Sequence, residues 1–191
     1  MPLRLHLIRH GETEWSLSGR HTSRTDLPLT PRGEQAARHL GERLRAIGFA
    51  RVFTSPRLRA RQTCELAGLG SAAEIEPDLK EWDYGDYEGR RTADIHQTWP
   101  GWDLFLEGGP NGESPGQISD RADRLIARLR ALEGEIALFT HGHFGAVLGV
   151  RWLGLPVGTG RHFPLGTASL SILGSVPGPP NVPVILLWNS G

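Results

Sequence analysis

The strongest constraint on this chain is a repeated pattern: short apolar runs stop at small or polar residues, and a helix start follows several of these stops. Leu3 to Ile8 is the first such run and ends at His10-Gly11. Its length and boundaries predict a strand. Thr30-Pro31-Arg32-Gly33-Glu34 has an N-cap threonine and a proline at the first helical position. That predicts a helix to about Ile47, stopped by Gly48. Val52 to Thr54 reads as a second strand, and Ser55-Pro56 opens a helix toward Leu66. Ser114-Pro115 opens a third, with Ile118, Ala122, Leu125, Ile126, Leu129 and Leu132 on one face. Ile136 to Thr140 is a buried-type strand, followed by a helix from Gly142 to roughly Leu153. Ala168 to Leu173 and Val184 to Trp188 are late strands, with Pro177 to Pro180 as a loop between them. Alternating strands and helices predict an α/β fold. The expected form is a three-layer α/β/α domain over 1–191, with a mostly parallel sheet and helices on both faces.

Composition narrows the partners. The chain has 191 residues, with 21 basic and 21 acidic side chains. No net positive field points to nucleic acid or an acidic membrane surface. An anion site would have to be built from a few local arginines. The single cysteine, Cys64, rules out an intrachain disulfide and gives secretion no support. No run approaches the ~20 apolar residues that span a bilayer. The expectation is a cytoplasmic protein without membrane or nucleic-acid partners, and a homodimer is open to it.

In such sheets, ligands sit beyond the carboxyl ends of the strands. Three strand ends carry reactive residues: Arg9-His10-Gly11, Thr54-Ser55-Pro56 with Arg59 one turn on, and Thr140-His141-Gly142. If the topology gathers them, two histidines and two arginines share one anion site, which suits phosphoryl transfer. The planar forks of Arg9 and Arg59 can clamp phosphoryl oxygens. A neutral imidazole can act as nucleophile, and a second, if protonated, can balance charge. Gly11 and Gly142 let backbone N–H groups approach closely. These residues alone do not choose between His10 and His141 as nucleophile. Arg57 and Arg61 rival Arg59. His6, His39, His96 and His162 read as structural or surface residues, Cys64 as packing, and the tryptophans as core. His143 is placed equally well at the site or away from it.

Four strings, in order, resemble the motifs of the histidine phosphatase superfamily, which includes the cofactor-dependent phosphoglycerate mutases. They are Leu7-Ile8-Arg9-His10-Gly11-Glu12-Thr13, then Ser55 to Thr63, then Leu79 to Gly89, and finally His141-Gly142. The resemblance covers most of the chain and is nearest to sedoheptulose-bisphosphatase-like and acid-phosphatase-like members. It implies a phosphoglycerate mutase-like fold, with His10 as nucleophile and Arg9, Arg59 and His141 around the phosphate. Glu81 is implied as proton donor, with Asp83, Asp86 and Glu88 as neighbouring rivals. Ser16 stands where many members have asparagine. Ser16, Thr22, Ser23, Tyr84 and Gly142 are the implied substrate contacts. No metal and no cofactor are implied. Thr92 stands where the mutases carry lysine, and Ala93 to Glu113 holds no counterpart of their arginine pair. The expected activity is therefore hydrolysis of a small phosphorylated substrate, a sugar phosphate or bisphosphate. Arg90, Arg91, Arg151 and Arg161 are candidates for a distal phosphate. The alternatives are a phosphoglycerate mutase, a metal-binding protein using His141-Gly142-His143, and a catalytically inert phosphate-binding module.

Overall fold

The computed structural model describes residues 2–191. Six strands form one sheet: β1 (Arg4–Arg9), β2 (Phe49–Thr54), β3 (Ala73–Ile75), β4 (Glu135–Thr140), β5 (Leu170–Val176) and β6 (Val182–Ser190). Their order is β3-β2-β4-β1-β5-β6. The first four run parallel, and β5 and β6 add antiparallel pairings at one side. The helices are α1 (Glu14–Leu17), α2 (Pro31–Leu44), α3 (Leu58–Leu66), α4 (Thr92–His96), α5 (Leu104–Glu107), α6 (Pro115–Leu129) and α7 (Gly142–Trp152).

Strand alternation divides the core into two layers. Leu5 and Leu7 of β1, with Ile136 and Leu138 of β4, pack against α6 and α7 through Leu125, Phe144 and Val147. Ile8, Ala137 and Phe139 face the other way, onto Leu40 and Leu44 of α2 and Cys64 of α3. Thr30 and Ser114 cap α2 and α6 through their hydroxyls, and each is followed by proline.

The structure moves some predicted boundaries. α3 begins at Leu58 rather than Ser55, because Asp26 caps it from a distant loop by accepting from the Leu58 amide at 2.8 Å. The Ser55 hydroxyl accepts from the Arg57 amide, ahead of the helix, at 3.3 Å and meets His141 Nε2 at 2.8 Å. β3 and the short helices α1, α4 and α5 have no counterpart in the predicted elements, because each is too short to show a period.

The register brings the three reactive strand ends together. Arg9 lies opposite Thr140 in the β1–β4 ladder, and Thr54 opposite Phe139 in the β2–β4 ladder. The ladders continue one residue further, with His10 N–H to Thr140 O at 3.0 Å and Ser55 N–H to Phe139 O at 2.9 Å. His141 therefore emerges between Ser55 and His10. A Cβ on Gly33 would lie 2.2 Å from the Glu12 carbonyl oxygen. The first turn of α2 thus rests, backbone on backbone, on the segment that follows His10.

Candidate active site

His10 is buried at the end of β1, with its ring centroid 5.2 Å from that of His141. Its Nδ1 lies 2.7 Å from the Gly11 carbonyl oxygen. A carbonyl only accepts, so Nδ1 carries the proton and Nε2 holds a lone pair. Nε2 faces the Nε–H of Arg59 at 3.3 Å. Burial, then the charges of Arg59 and Arg9, push the His10 pKa well below the ordinary imidazole value. This imidazole is neutral and oriented, as a nucleophile must be.

Arg59 is fully buried, yet among the described residues its guanidinium meets only carbonyls and His10. Nη2 donates to Thr22 O at 2.9 Å and to Ser23 O at 3.4 Å, and Nη1 to Thr25 O at 3.2 Å. Glu88 holds this loop in place by accepting from the amides of Ser23 and Thr25. Arg9 donates through Nη1 to the Leu165 carbonyl, while its buried Nε has no hydrogen-bond partner. A Cβ on Gly142 would come within 3.2 Å of the Arg9 guanidinium carbon, so glycine there leaves room for this arginine.

His141 precedes α7 and is fully buried, with Nε2 on the Ser55 hydroxyl and Nδ1 unpartnered. Burial first, then Arg59, His10 and Arg9, lower its pKa well below the ordinary value. The fold thus favours the neutral form of this imidazole, not the protonated one that could balance charge on a phosphoryl group.

Glu81 sits at the first turn of α7. Oε1 accepts from the amides of Trp82 at 2.9 Å and Phe144 at 2.7 Å, and Oε2 from that of His143 at 3.1 Å. Burial pushes this carboxyl up, but the neighbouring His143 imidazole and these three amides outweigh it, leaving the pKa below the usual glutamate value. Burial also lowers the pKa of His143. The Tyr84 hydroxyl lies 2.6 Å from His143 Nδ1, and burial beside Glu81 pushes its phenol well up.

These groups surround a cavity of about 360 Å³ whose wall includes Arg9, His10, Ser16, Thr22, Glu81, Tyr84, Gly142 and His143. Arg59 and His141 are fully buried and are not part of that wall. Ser23 points its backbone at Arg59 and does not line the cavity. The Ser16 hydroxyl is occupied by the α1 capping box, donating to Thr13 O at 3.0 Å and accepting from Thr13 N–H at 2.8 Å. Of the carboxylates near Glu81, none of the three rivals reaches the cavity. Asp83 accepts from Gly85 N–H, Asp86 from Asn111 and Glu88 from the Ser23 loop.

Sequence reasoning missed two residues here. His21 lines the cavity, and burial first, then His143, lowers its pKa to about 4. Buried Arg121 pairs with Glu113 at 2.7 Å, donates to the carbonyls of Asp78 and Lys80, and stacks over Phe144. It holds the loop that carries Glu81.

A four-stranded parallel core thus gathers two histidines and two arginines at its carboxyl edge, an arrangement suited to binding a phosphoryl group. The chain belongs to the histidine phosphatase superfamily (branch 1), whose family description matches residues 5–190. It is 42% identical over 175 residues to a Mycobacterium tuberculosis acid phosphatase, covering 90% of this chain and 86% of that one. It is 39% identical to a Saccharomyces cerevisiae sedoheptulose 1,7-bisphosphatase, covering 79% of this chain and 68% of the relative. Relatives from Salmonella strains named as probable phosphoglycerate mutases match at 33% identity over 88% of this chain and 83% of theirs. The solved structure of a Mycobacterium tuberculosis open-reading-frame product superposes with a TM-score of 0.92 at 38% identity, covering 98% of this chain and 97% of that one.

Proposed function

We propose that this protein, a single domain over 1–191, hydrolyses small phosphate monoesters by passing the phosphoryl group to His10 Nε2 and then to water. The observation that carries this reading is the pinned tautomer. Gly11 O holds the His10 proton on Nδ1 and leaves the Nε2 lone pair beside the Arg59 Nε–H, with Arg9 close by. In the first step the Nε2 lone pair bonds to phosphorus and the P–O bond to the leaving group breaks. Glu81, otherwise ionised, takes a proton from the monoanionic form of the substrate phosphate and passes it to the departing alkoxide. Arg9, Arg59 and the unpartnered His141 Nδ1–H meet the phosphoryl oxygens. In the second step water attacks phosphorus, Glu81 accepts its proton, the N–P bond breaks, and inorganic phosphate leaves.

A sugar phosphate or sugar bisphosphate fits a cavity that mixes His21, Tyr84 and Thr92 with Phe105, Phe163 and Leu165. The yeast relative is itself named for a sugar bisphosphate. Thr92 lines the cavity where a mutase would place lysine, which supports hydrolysis over phosphoryl reorientation. Among the described residues no helix is long and apolar enough to cross a membrane. The single cysteine supports a cytoplasmic location.

The test is the His10→Ala protein. Turnover of nitrophenyl phosphate is expected to vanish, and the wild-type enzyme to yield an acid-labile phosphoenzyme that the variant lacks. A His10→Ala protein that keeps near wild-type rate refutes the assignment. Rapid interconversion of 2- and 3-phosphoglycerate with little phosphate release would make the chain a mutase instead.

A further inference from the structure

We propose that the Tyr84 hydroxyl and the His143 ring form a reversible hydrogen-bond pair that lets Glu81 hold its proton in one step and release it in the other. The proposal rests on the reading that Glu81 acts first as acid and then as base around a phosphoryl group on His10. Those two roles ask opposite things of one buried carboxyl group. Its amide partners serve only one of them. An amide N–H stabilises the carboxylate and has no lone pair to take a proton from the protonated form. Oε1 accepts from two amides, at Trp82 and Phe144, and Oε2 from one, at His143. Oε2 therefore keeps the spare lone pair, and it is the oxygen that takes the proton.

The Tyr84 hydroxyl lies 2.6 Å from His143 Nδ1, which is itself 4.0 Å from Glu81 Oε2. The same hydroxyl is within hydrogen-bonding reach of the Glu81 carboxylate. Burial, then Glu81, keep this phenol protonated. Burial likewise favours the neutral His143 ring. A neutral ring and a neutral phenol place a single proton between Nδ1 and the Tyr84 oxygen, and it can belong to either. The rings of Phe105 and His21, with centroids 5.6 and 5.8 Å away, pack against His143 and hold it there. His21 does not compete for the hydroxyl, because its Nε2 meets Thr92 at 3.3 Å.

The two arrangements suit the two states of Glu81. When Glu81 is a carboxylate, His143 Nδ1–H donates to the Tyr84 oxygen and Tyr84 O–H donates to Glu81. When Glu81 is protonated, its O–H donates to the Tyr84 oxygen, and Tyr84 O–H turns to the Nδ1 lone pair. In that second state the ring proton sits on Nε2. His143 lines the cavity, so its proton can exchange between the two nitrogens through solvent. The pair itself gains and loses no proton. In both states each of these hydrogens has an acceptor, so neither bears the cost of an unpaired buried donor. Tyr84 and His143 are thus positioning residues that act through Glu81 and make its proton transfer reversible.

The experiment compares kcat/KM for phenyl phosphate and nitrophenyl phosphate, two substrates of similar shape. Phenolate is the poorer leaving group, so the phenyl-to-nitrophenyl ratio reads proton donation to the leaving oxygen during phosphorylation. His143→Phe keeps a ring and the backbone amide on Glu81 but leaves Tyr84 no alternative acceptor. Its ratio is expected to fall about 10-fold, the usual effect of one unpaired buried donor. Tyr84→Phe, which removes the shared hydroxyl and keeps the ring, should lower the ratio as well. His143→Asn restores an acceptor and a donor near the Nδ1 position, and its ratio should return toward the wild-type value. Each variant is checked for wild-type melting. A wild-type ratio in either Phe variant, or a ratio in His143→Asn as low as in His143→Phe, overturns the proposal. Glu81→Gln separates the two levels. If it lowers the ratio while the Phe variants do not, only the proposal fails. If it leaves the ratio at the wild-type value, Glu81 is not the acid, and the underlying reading falls together with the proposal.

Discussion

Glu81 accepts from three amides, two of them in the first turn of α7 at His143 and Phe144 and one at Trp82, so it is a carboxylate that caps a helix. Proton donation asks the same group to be neutral for part of the cycle. Leaving-group dependence separates the two roles. A sugar alkoxide needs protonation as the P–O bond breaks, whereas nitrophenolate needs little help. A positioned general acid is worth about 10²–10⁴-fold. With Glu81→Gln and nitrophenyl phosphate, rapid mixing should show a burst of nitrophenol and accumulated phosphoenzyme. With a sugar phosphate it should show slow phosphorylation and no accumulation. Equal loss of phosphorylation on both substrates would mean that Glu81 serves only as the cap. The glutamine keeps one acceptor but turns donors toward an amide, so a stability cost of about 1–3 kcal/mol is expected in urea unfolding. At this scale the sequence is legible where a residue sits inside a motif, as His10, Arg59 and Glu81 do. It is mute where the role depends on remote backbone. Arg121 looks like one cation on an amphipathic helix, and its partners are carbonyls about 40 residues away, at Asp78 and Lys80. Ser16 shows the converse. Its position suggests phosphate contact, but its hydroxyl is already bonded to Thr13.

Helix starts were readable when the cap was local. Thr30-Pro31 and Ser114-Pro115 place α2 and α6 at their observed first residues. α3 is capped by Asp26, a partner no local window contains, and its start falls at Leu58 instead of Ser55. The loop before α4 depends on another such long link. Buried Arg121 on α6 and half-buried Glu113 just before it form a pair that holds the Trp82 side chain, through Nε1–H to Glu113 O, and the Asp83 backbone, through N–H to Glu113 Oε2. Breaking one half of a buried pair strands the other charge, at about 3–5 kcal/mol. Arg121→Ala should therefore lower urea stability by that amount and reduce turnover by displacing Glu81, while Arg124→Ala, on the exposed face, should do neither. An Arg121→Ala protein with wild-type stability would show that the loop stands without its clamp.

For the molecule as a whole, pH is the lever these buried groups create. His10, His21, His141 and His143 all have pKa values lowered by the fold, His21 to about 4. The unfolded chain takes up protons at these histidines below pH 6.5 while the native state does not, so stability present above that pH is lost as pH falls. His21 alone accounts for about 3 kcal/mol between pH 6.5 and 4. Urea midpoints should fall steadily over that window, and the fall should be shallower in His21→Phe. A midpoint flat from pH 7 to 4.5 would contradict the neutral, buried state of these rings.

The central position of β1 has a consequence in time. This strand lies between β4 and β5, so Arg4 pairs with Glu135 and Leu5 with Leu173. His10 is synthesised more than a hundred residues ahead of both neighbours that fix its strand, which exist only once synthesis has passed residue 140 on one side and 170 on the other. Closing such long loops slows folding, and the unpaired strand stays exposed meanwhile. A chain stopped at residue 165 should therefore show no native near-ultraviolet dichroism and no turnover, although it contains all the motif residues. His10 thus waits, unpositioned, for strands made long after it, and a growing chain should stay inert toward phosphate esters until β5 has been synthesised.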